Sequence, residues 1–178
     1  MIESPSPARS IDPQAVAAVE ALRASYRPDR ITTLFVGESA PINGTFFYDG
    51  HNSMLRYMQR AVEAVLPGEG DFLDRFRDHG WYLDDLVLTP VNHLDRAGRF
   101  AAWNSARNSL VARIADYQPL AIVALRSGIK EIVAEAAIKA DSTAIVFSVP
   151  FPGMGNQNKF HAAMQRIVPL LPGRSREE

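Results

Sequence analysis

The chain contains no cysteine, has almost no net charge and has no long hydrophobic run. Without cysteine it cannot form disulfides, thiolate zinc sites or cysteine-ligated iron–sulfur clusters. A net charge of −1 argues against strong nonspecific DNA binding by the surface as a whole. No apolar stretch reaches the roughly 20 residues of a membrane span, and the first residues lack a signal-peptide pattern. We therefore expect a cytoplasmic protein without a membrane partner.

Motifs for metals, cofactors and activated nucleophiles are also lacking. No pair stands at metal-ligand spacing among His51, His79, His93 and His161, so no metal is assigned. The glycines match neither a dinucleotide fingerprint nor a phosphate loop, and we predict no cofactor. Ser39 has Pro41 where a nucleophile elbow requires its second glycine, so a serine hydrolase is only weakly indicated.

The chain is long enough for one domain with a substantial core. It has 178 residues, of which 47% are hydrophobic and 22% charged. We predict a disordered N-terminus over residues 1–11, a single α/β domain over residues 12–171, and a polar tail over residues 172–178. We expect a monomer.

Four apolar, β-rich segments alternate with helical patterns. They cover residues 31–36, the middle of 81–93, 120–125 and 144–149. The first predicted helix starts at Pro13, the second follows a cap at Asn52 or Ser53, the third follows a cap at Asp71, and a further one runs from about Ala101 to Tyr117. Two more follow the third and fourth strands. This alternation predicts a three-layer α/β/α fold with a central four-stranded parallel sheet and right-handed crossovers.

Polar or aromatic residues follow each predicted strand. Ligands of open α/β sheets bind beyond the carboxyl ends of the strands, so we expect these residues to share one site. They are Glu38 and Ser39 after strand one, Asn92 and His93 after strand two, Arg126 and Ser127 after strand three, and the Phe151 loop after strand four.

Two of these features have more than one interpretation. Glu38, beside the aromatic run Phe46 to Tyr48, could position water or stabilise a cation, or it could bond within its own loop. Gly37 could serve only to turn the chain. Three arginines lie in or just before the fourth predicted helix and indicate a solvated face: Arg99, Arg107 and Arg113. Arg99 or Arg107 could instead contact phosphate.

Four segments together resemble the uracil-DNA glycosylase superfamily over about residues 30–171. They are Phe35-Val36-Gly37-Glu38-Ser39-Ala40-Pro41, Leu88-Thr89-Pro90, Pro119 to Leu125, and Val149-Pro150-Phe151-Pro152-Gly153. The resemblance implies a four-stranded parallel sheet flanked by helices. It also implies that the partner is DNA or another ligand that contains a nucleobase.

The resemblance also assigns roles to individual residues. Gly37 and Glu38 look like the opening of the family's first motif, which makes Glu38 and Ser39 the catalytic candidates. Phe46 or Phe47 would stack on a flipped base, and Asn92 would read its edge. The implied function is hydrolysis of the N-glycosidic bond of a damaged or deaminated base in DNA.

The last motif departs from the family pattern. Phe151 stands where the family has a histidine that stabilises the leaving uracil anion, and Met154 would be the apolar wedge that fills the vacated base stack. Ser39 stands where many members have Asp or Asn, and it cannot supply a charge. The alternative is therefore a catalytically inactive nucleic-acid or nucleobase binding module of the same fold.

Overall fold

Four parallel strands form the centre of the structure, a computed structural model that describes residues 11–41 and 44–174. The spatial order is β2-β1-β3-β4, so β1 and β3 are central and β2 and β4 are edges. The strands are β1 (Thr33–Gly37), β2 (Trp81–Asp85), β3 (Ala121–Ala124) and β4 (Ile145–Ser148). The predicted α/β class and the four-stranded parallel sheet are confirmed.

Six helices accompany the sheet in the described part of the chain. Right-handed crossovers place the β1-to-β2 connection and the two later connections on opposite faces of the sheet. Consistent with this, α2 packs against α6, and α4 packs against α5. The helices are α1 (Pro13–Ser25), α2 (Ser53–Glu63), α3 (Phe72–Asp78), α4 (Arg96–Tyr117), α5 (Lys130–Lys139) and α6 (Gln157–Ile167).

The central part of β1 is completely buried. Leu34, Phe35 and Val36 have no solvent exposure, as expected of a parallel strand whose two faces are both covered. The Phe35 ring packs edge-on against Trp81, with ring centroids 5.5 Å apart. The continuous apolar run in the sequence is therefore explained by burial on both sides.

The prediction that the second strand ends near Pro90 is wrong, because β2 ends at Asp85. Beyond that point the carbonyl oxygens of Asp85 and Leu86 accept hydrogen bonds from the Arg113 side chain, at 2.8 and 3.1 Å. Arg113, 28 positions later in the chain, thus binds the backbone where the strand ends. The groups at the end of β2 are thus Asp84 and Asp85, whereas Asn92 and His93 lie further along in a loop.

A buried guanidinium connects α1 to this end of β2. Arg23 is only 2% exposed, and its Nη2 donates to Asp85 Oδ2 at 2.8 Å while its Nη1 donates to the Leu83 carbonyl at 3.2 Å. Burial alone would lower the pKa of Arg23, but the carboxylates of Asp85 and Asp84 outweigh it and raise the pKa. Burial also raises the pKa of Asp85, although Arg23 opposes that shift.

Arg113 completes the cluster from the other side. It was predicted to lie on a solvated face, but its side chain is only 15% exposed and pairs with Asp84. The Tyr117 hydroxyl donates to the same carboxylate at 3.3 Å. Burial, which is the larger effect, and the negative charge of Asp84 raise the pKa of Tyr117 to about 12. Part of the α4 face that the sequence predicted to be solvated therefore packs on β2.

α4 begins earlier than predicted. Its first residue is Arg96 rather than Ala101, because the Asp95 side chain caps the helix and accepts a hydrogen bond from the Gly98 backbone N–H at 2.7 Å. This adds a full turn to the helix. The extra turn carries Arg96 and Arg99 to the carboxyl edge of the sheet.

The structure tests only part of the predicted domain boundaries. Residues 1–10 and 175–178 lie outside the described residues, so most of the predicted disordered segment and part of the predicted tail are not addressed. Pro172 is well fixed, because its carbonyl accepts hydrogen bonds from Thr32, Thr33 and Trp81. In residues 11–41 and 44–174, no helix has the length and hydrophobicity to cross a membrane.

We predict that Arg23→Met lowers the free energy of unfolding by about 3 to 5 kcal/mol, because it leaves the buried Asp85 carboxylate without its counter-ion, whereas Asp84 keeps its pairing with Arg113. Urea unfolding measures the change. Arg77→Met is the matched control, since Arg77 pairs with Asp78 at the surface and should contribute less than about 1 kcal/mol. Equal effects of the two substitutions would contradict a structural role for the buried cluster.

Candidate functional site

Glu38 follows β1 directly and is held by three side chains. Its Oε1 accepts a hydrogen bond from Trp103 Nε1 at 3.0 Å, and its Oε2 accepts one from Arg126 Nη1 at 3.1 Å. Arg99 Nη2 lies 3.4 Å from the same Oε2. The carboxylate is 14% exposed. It is therefore an anion of fixed orientation that still reaches solvent, rather than a group bonded within its own loop.

The backbone around Glu38 is fixed as well. The carbonyls of Gly37 and Glu38 accept hydrogen bonds from the N–H groups of Leu86 and Val87, at 2.8 and 3.0 Å. Leu125 N–H binds the Val36 carbonyl from the β3 side at 2.9 Å. The segment that carries Glu38 is thus held from both neighbouring strands, which limits how far the carboxylate can move.

An open cleft of about 840 Å³ lies against the three residues that hold Glu38. α4 supplies most of its wall, and the turn after β3 supplies the rest. Its surface combines aromatic rings with guanidinium groups, and the Arg126 guanidinium carbon lies 5.8 Å from the centre of the Trp103 ring. The lining residues are Leu94, Arg96, Ala97, Arg99, Phe100, Trp103, Arg126 and Gly128.

A larger depression of about 1100 Å³ lies at the opposite edge of the sheet. Thr32, Trp81 and Leu120, which lie at the amino ends of three strands, contribute to its lining. None of the candidate residues lines it. The smaller cleft is lined not by Glu38 itself but by the three side chains that hold Glu38, which are Arg99, Trp103 and Arg126. Since chemistry in open α/β sheets is found beyond the carboxyl ends of the strands, the smaller cleft beside Glu38 is the candidate site.

Ser39 and Asn92 lie on the loops that approach this cleft. The Ser39 hydroxyl accepts a hydrogen bond from the Val91 backbone N–H at 3.2 Å and so ties the loop after β2 to the loop after β1. Asn92 is exposed in that second loop, two residues before Leu94 of the cleft. The structure therefore brings Glu38, Ser39 and the Asn92 loop to the same edge of the sheet.

Phe46 and Phe47 lie in the hydrophobic core, with 6% and 3% exposure. Arg23 lies over the face of Phe46, 4.9 Å from its centre. Phe47 packs edge-on against Tyr48, with centroids 5.0 Å apart. Both rings are engaged in packing, so neither presents a face on which a base could stack in this conformation.

The loop after β4 is exposed at the same carboxyl edge. Phe151 is 45% exposed and Met154 is 99% exposed. Met154 has a left-handed backbone with φ 55°, which is unusual for a residue with a side chain of this size. A Cβ at Gly153 would overlap the Phe151 ring, so a larger residue there would have to displace that ring.

Several functional contacts could not be assigned from the sequence. Trp103, which binds Glu38, was not singled out, and its only sequence signal is a tryptophan at helical spacing from Ala106 and Leu110. Arg126 was correctly expected at a strand end, but its pairing with Glu38 was not. Among the described residues, no three histidine, aspartate or glutamate side chains form a group that could hold a metal ion.

The chain matches no protein-family model and no curated protein. The resemblance to uracil-DNA glycosylases therefore depends on the sequence motifs alone and remains a hypothesis.

Gly37 has a spatial role rather than a conformational one. It pairs with Asp85 in the sheet, and a Cβ at Gly37 would overlap Asp85 Oδ1. The other oxygen of that carboxylate is bound to Arg23. The absence of a side chain thus makes room for the buried ion pair directly before Glu38.

We predict that Gly37→Ala lowers the free energy of unfolding by about 1 to 3 kcal/mol, because the added methyl group must displace the Asp85 carboxylate. Urea unfolding again gives the value. Gly173→Ala is the matched control, since a Cβ there would make only ordinary contacts with His79. If both variants unfold at the same urea concentration, Asp85 can move without penalty and this account of Gly37 is wrong.

Proposed function

We propose that the protein is a uracil-DNA glycosylase-like enzyme that hydrolyses the N-glycosidic bond of a damaged or deaminated base in DNA, with Glu38 as its catalytic carboxylate. The observation that carries the proposal is the fixed Glu38 carboxylate at the end of β1, held by Trp103, Arg99 and Arg126 beside a cleft. The four-stranded parallel sheet agrees with the fold that the resemblance implies.

In this reaction, water adds to C1′ of the deoxyribose and the bond from C1′ to the base nitrogen breaks. The base leaves with the bonding electron pair, and the proton lost by water passes to Glu38 or to the departing base. A carboxylate also stabilises the positive charge that develops on the sugar. Glu38 suits both tasks because its orientation is fixed while part of it remains accessible.

The charge on the departing base needs a stabilising partner. The resemblance places a histidine at the position of Phe151, and Phe151 cannot do this. Arg99 and Arg126 line the cleft and carry positive charge at its wall. We assign to them the electrostatic part of the reaction that the family's histidine provides, an effect typically worth on the order of a hundredfold in rate.

We predict that Glu38→Gln reduces base release at least about a hundredfold while DNA binding changes little, because the amide keeps the size of the side chain but cannot accept a proton. Release is measured on single- and double-stranded oligonucleotides that contain uracil, hypoxanthine, xanthine or a mismatch. Glu135→Gln is the matched control, because Glu135 also pairs with an arginine, Arg107, but lies away from the cleft. Equal loss of binding and release, or no loss of release, would contradict a catalytic role.

The exposed Met154 supports a role in keeping an extruded base out of the duplex. An apolar side chain that is 99% exposed gains nothing from packing, and its left-handed backbone is unfavourable. Such a side chain can enter the space that a flipped base leaves, which offsets part of the few kcal/mol that unstacking costs. Ser39 and Asn92 would then contact the substrate from the neighbouring loops.

We predict that Met154→Asn leaves the stability equal or higher, because asparagine tolerates the left-handed conformation better. Base release from duplex DNA should fall by about tenfold or more, whereas release from single strands should stay the same, since only the duplex must be unstacked. Urea unfolding and the ratio of the two release rates measure these effects. An equal change on both substrates would rule out a wedge.

The alternative function is a catalytically inactive nucleic-acid or nucleobase binding module. One observation favours it: both oxygens of Glu38 already accept hydrogen bonds from arginine or tryptophan. A carboxylate engaged in this way has less capacity to accept a proton from water. A folded protein that binds DNA but releases none of the tested bases would support this alternative.

A further inference from the structure

The first two turns of α4 combine an exposed aromatic ring with arginines. Phe100 is 57% exposed, and its ring lies 6.3 Å from that of Trp103. Arg99 and Phe100 lie three and four positions after Arg96, and Trp103 lies four and three positions after them, a spacing that places the four residues on one side of a helix. All four line the cleft beside Glu38. We call these four residues the α4 strip.

The strip is positive although the protein as a whole is not. Three arginines line the cleft, and none of the described residues that line it is acidic, whereas the whole chain has a net charge of −1. Arg96 is exposed and forms no ion pair within the part of the chain that the structure describes. Arg99 and Arg126 share their charge with Glu38, and Arg96 adds positive charge, so the local charge favours an anionic ligand at this cleft.

Arg99 can bind an anion while it holds Glu38. Its Nε donates to the Val91 carbonyl at 3.4 Å, and its Nη2 faces Glu38. A guanidinium has five N–H donors, so others remain for a phosphate. Arg99 and the neighbouring Arg96 thus offer charge beside the exposed face of Phe100.

We infer that the α4 strip binds single-stranded nucleic acid, with an unpaired base stacked on Phe100 and adjacent phosphates bound by Arg96 and Arg99. Aromatic rings with flanking cations are the usual platform for unpaired bases, and the faces of bases in a duplex are already covered by their neighbours. The inference takes the class of ligand, nucleic acid, from the proposed function. It adds that the preferred strand is single and that contacts extend beyond the reacting nucleotide.

The experiment measures binding without chemistry. Fluorescence anisotropy is recorded for a labelled oligothymidine, which carries no damaged base, and for its duplex with oligoadenosine. We expect the wild-type protein to bind the single strand at least about tenfold more tightly than the duplex, and Phe100→Ala to weaken single-strand binding by about tenfold. Phe100→Tyr should restore it, because tyrosine keeps an aromatic face.

Two further variants separate this surface from nonspecific effects. Arg96→Gln should lower the dependence of log affinity on log salt concentration by about 0.7, the value for one phosphate contact on a single strand. Leu170→Ala is the matched control, since Leu170 is 65% exposed but lies in the turn after α6 and does not line the cleft. Its binding should equal that of the wild type.

Three results would overturn the inference: duplex binding as tight as single-strand binding, no effect of Phe100→Ala, or competition by free thymidine monophosphate that equals competition by the strand. Failure of the proposed function gives a different pattern. If no base is released from any substrate but Phe100 is needed to bind oligothymidine, single-strand binding by the α4 strip is supported and the proposed enzyme activity is rejected. If Glu38-dependent release occurs while Phe100→Ala binds normally, the enzyme activity is supported and the role of the α4 strip is rejected.

Discussion

The buried ion pair between Arg23 and Asp85 is the contact on which the arrangement of this protein depends. It joins α1 to the end of β2, it explains why β1 ends in a residue without a side chain, and the same guanidinium covers Phe46. A buried charge of this kind stabilises little in net terms, but removing either partner leaves the other exposed to a large desolvation penalty. Its effect is to fix which elements lie side by side.

Each carboxylate at this edge of the sheet is paired with an arginine, yet their surroundings differ. Asp84 and Asp85 are 1% and 4% exposed, and their partners are the buried Arg23 and the largely covered Arg113. Glu38 directly follows Gly37, the residue opposite Asp85 in the sheet, and is 14% exposed; the three side chains that hold it line the cleft. The same kind of contact is thus fully buried at Asp84 and Asp85 and partly open to solvent at Glu38.

The sequence was most informative where local patterns determine the structure. Continuous apolar runs predicted β1, β3 and β4, and cap residues such as Asp12 and Asn52 predicted the starts of α1 and α2, where their side chains accept backbone N–H groups. It was least informative where contacts between residues far apart in the sequence determine the structure. The apolar residues after Asp85 suggested a longer β2, but the strand ends at Asp85, whose carbonyl binds the distant Arg113 side chain.

The candidate site shows the same division. The order of strands predicted that Glu38 and Arg126 would lie at one edge, since both directly follow parallel strands. Its actual geometry depends on Trp103, whose separation of 65 positions from Glu38 leaves no local signal. Phe46 and Phe47 were expected at the site because they are close to it in sequence, but burial against Arg23 and Tyr48 removes them from it.

The Arg23 contact also has a consequence for the order in which the protein can assemble. Its carboxylate partner lies 62 positions later in the chain, so α1 is synthesised well before the group that neutralises its buried charge. Until β2 exists, docking α1 would bury this guanidinium with Glu20 of its own helix as the only one of its described charged partners, which is unfavourable. We therefore expect α1, although it is the first helix to be made, to dock stably only once β2 is in place.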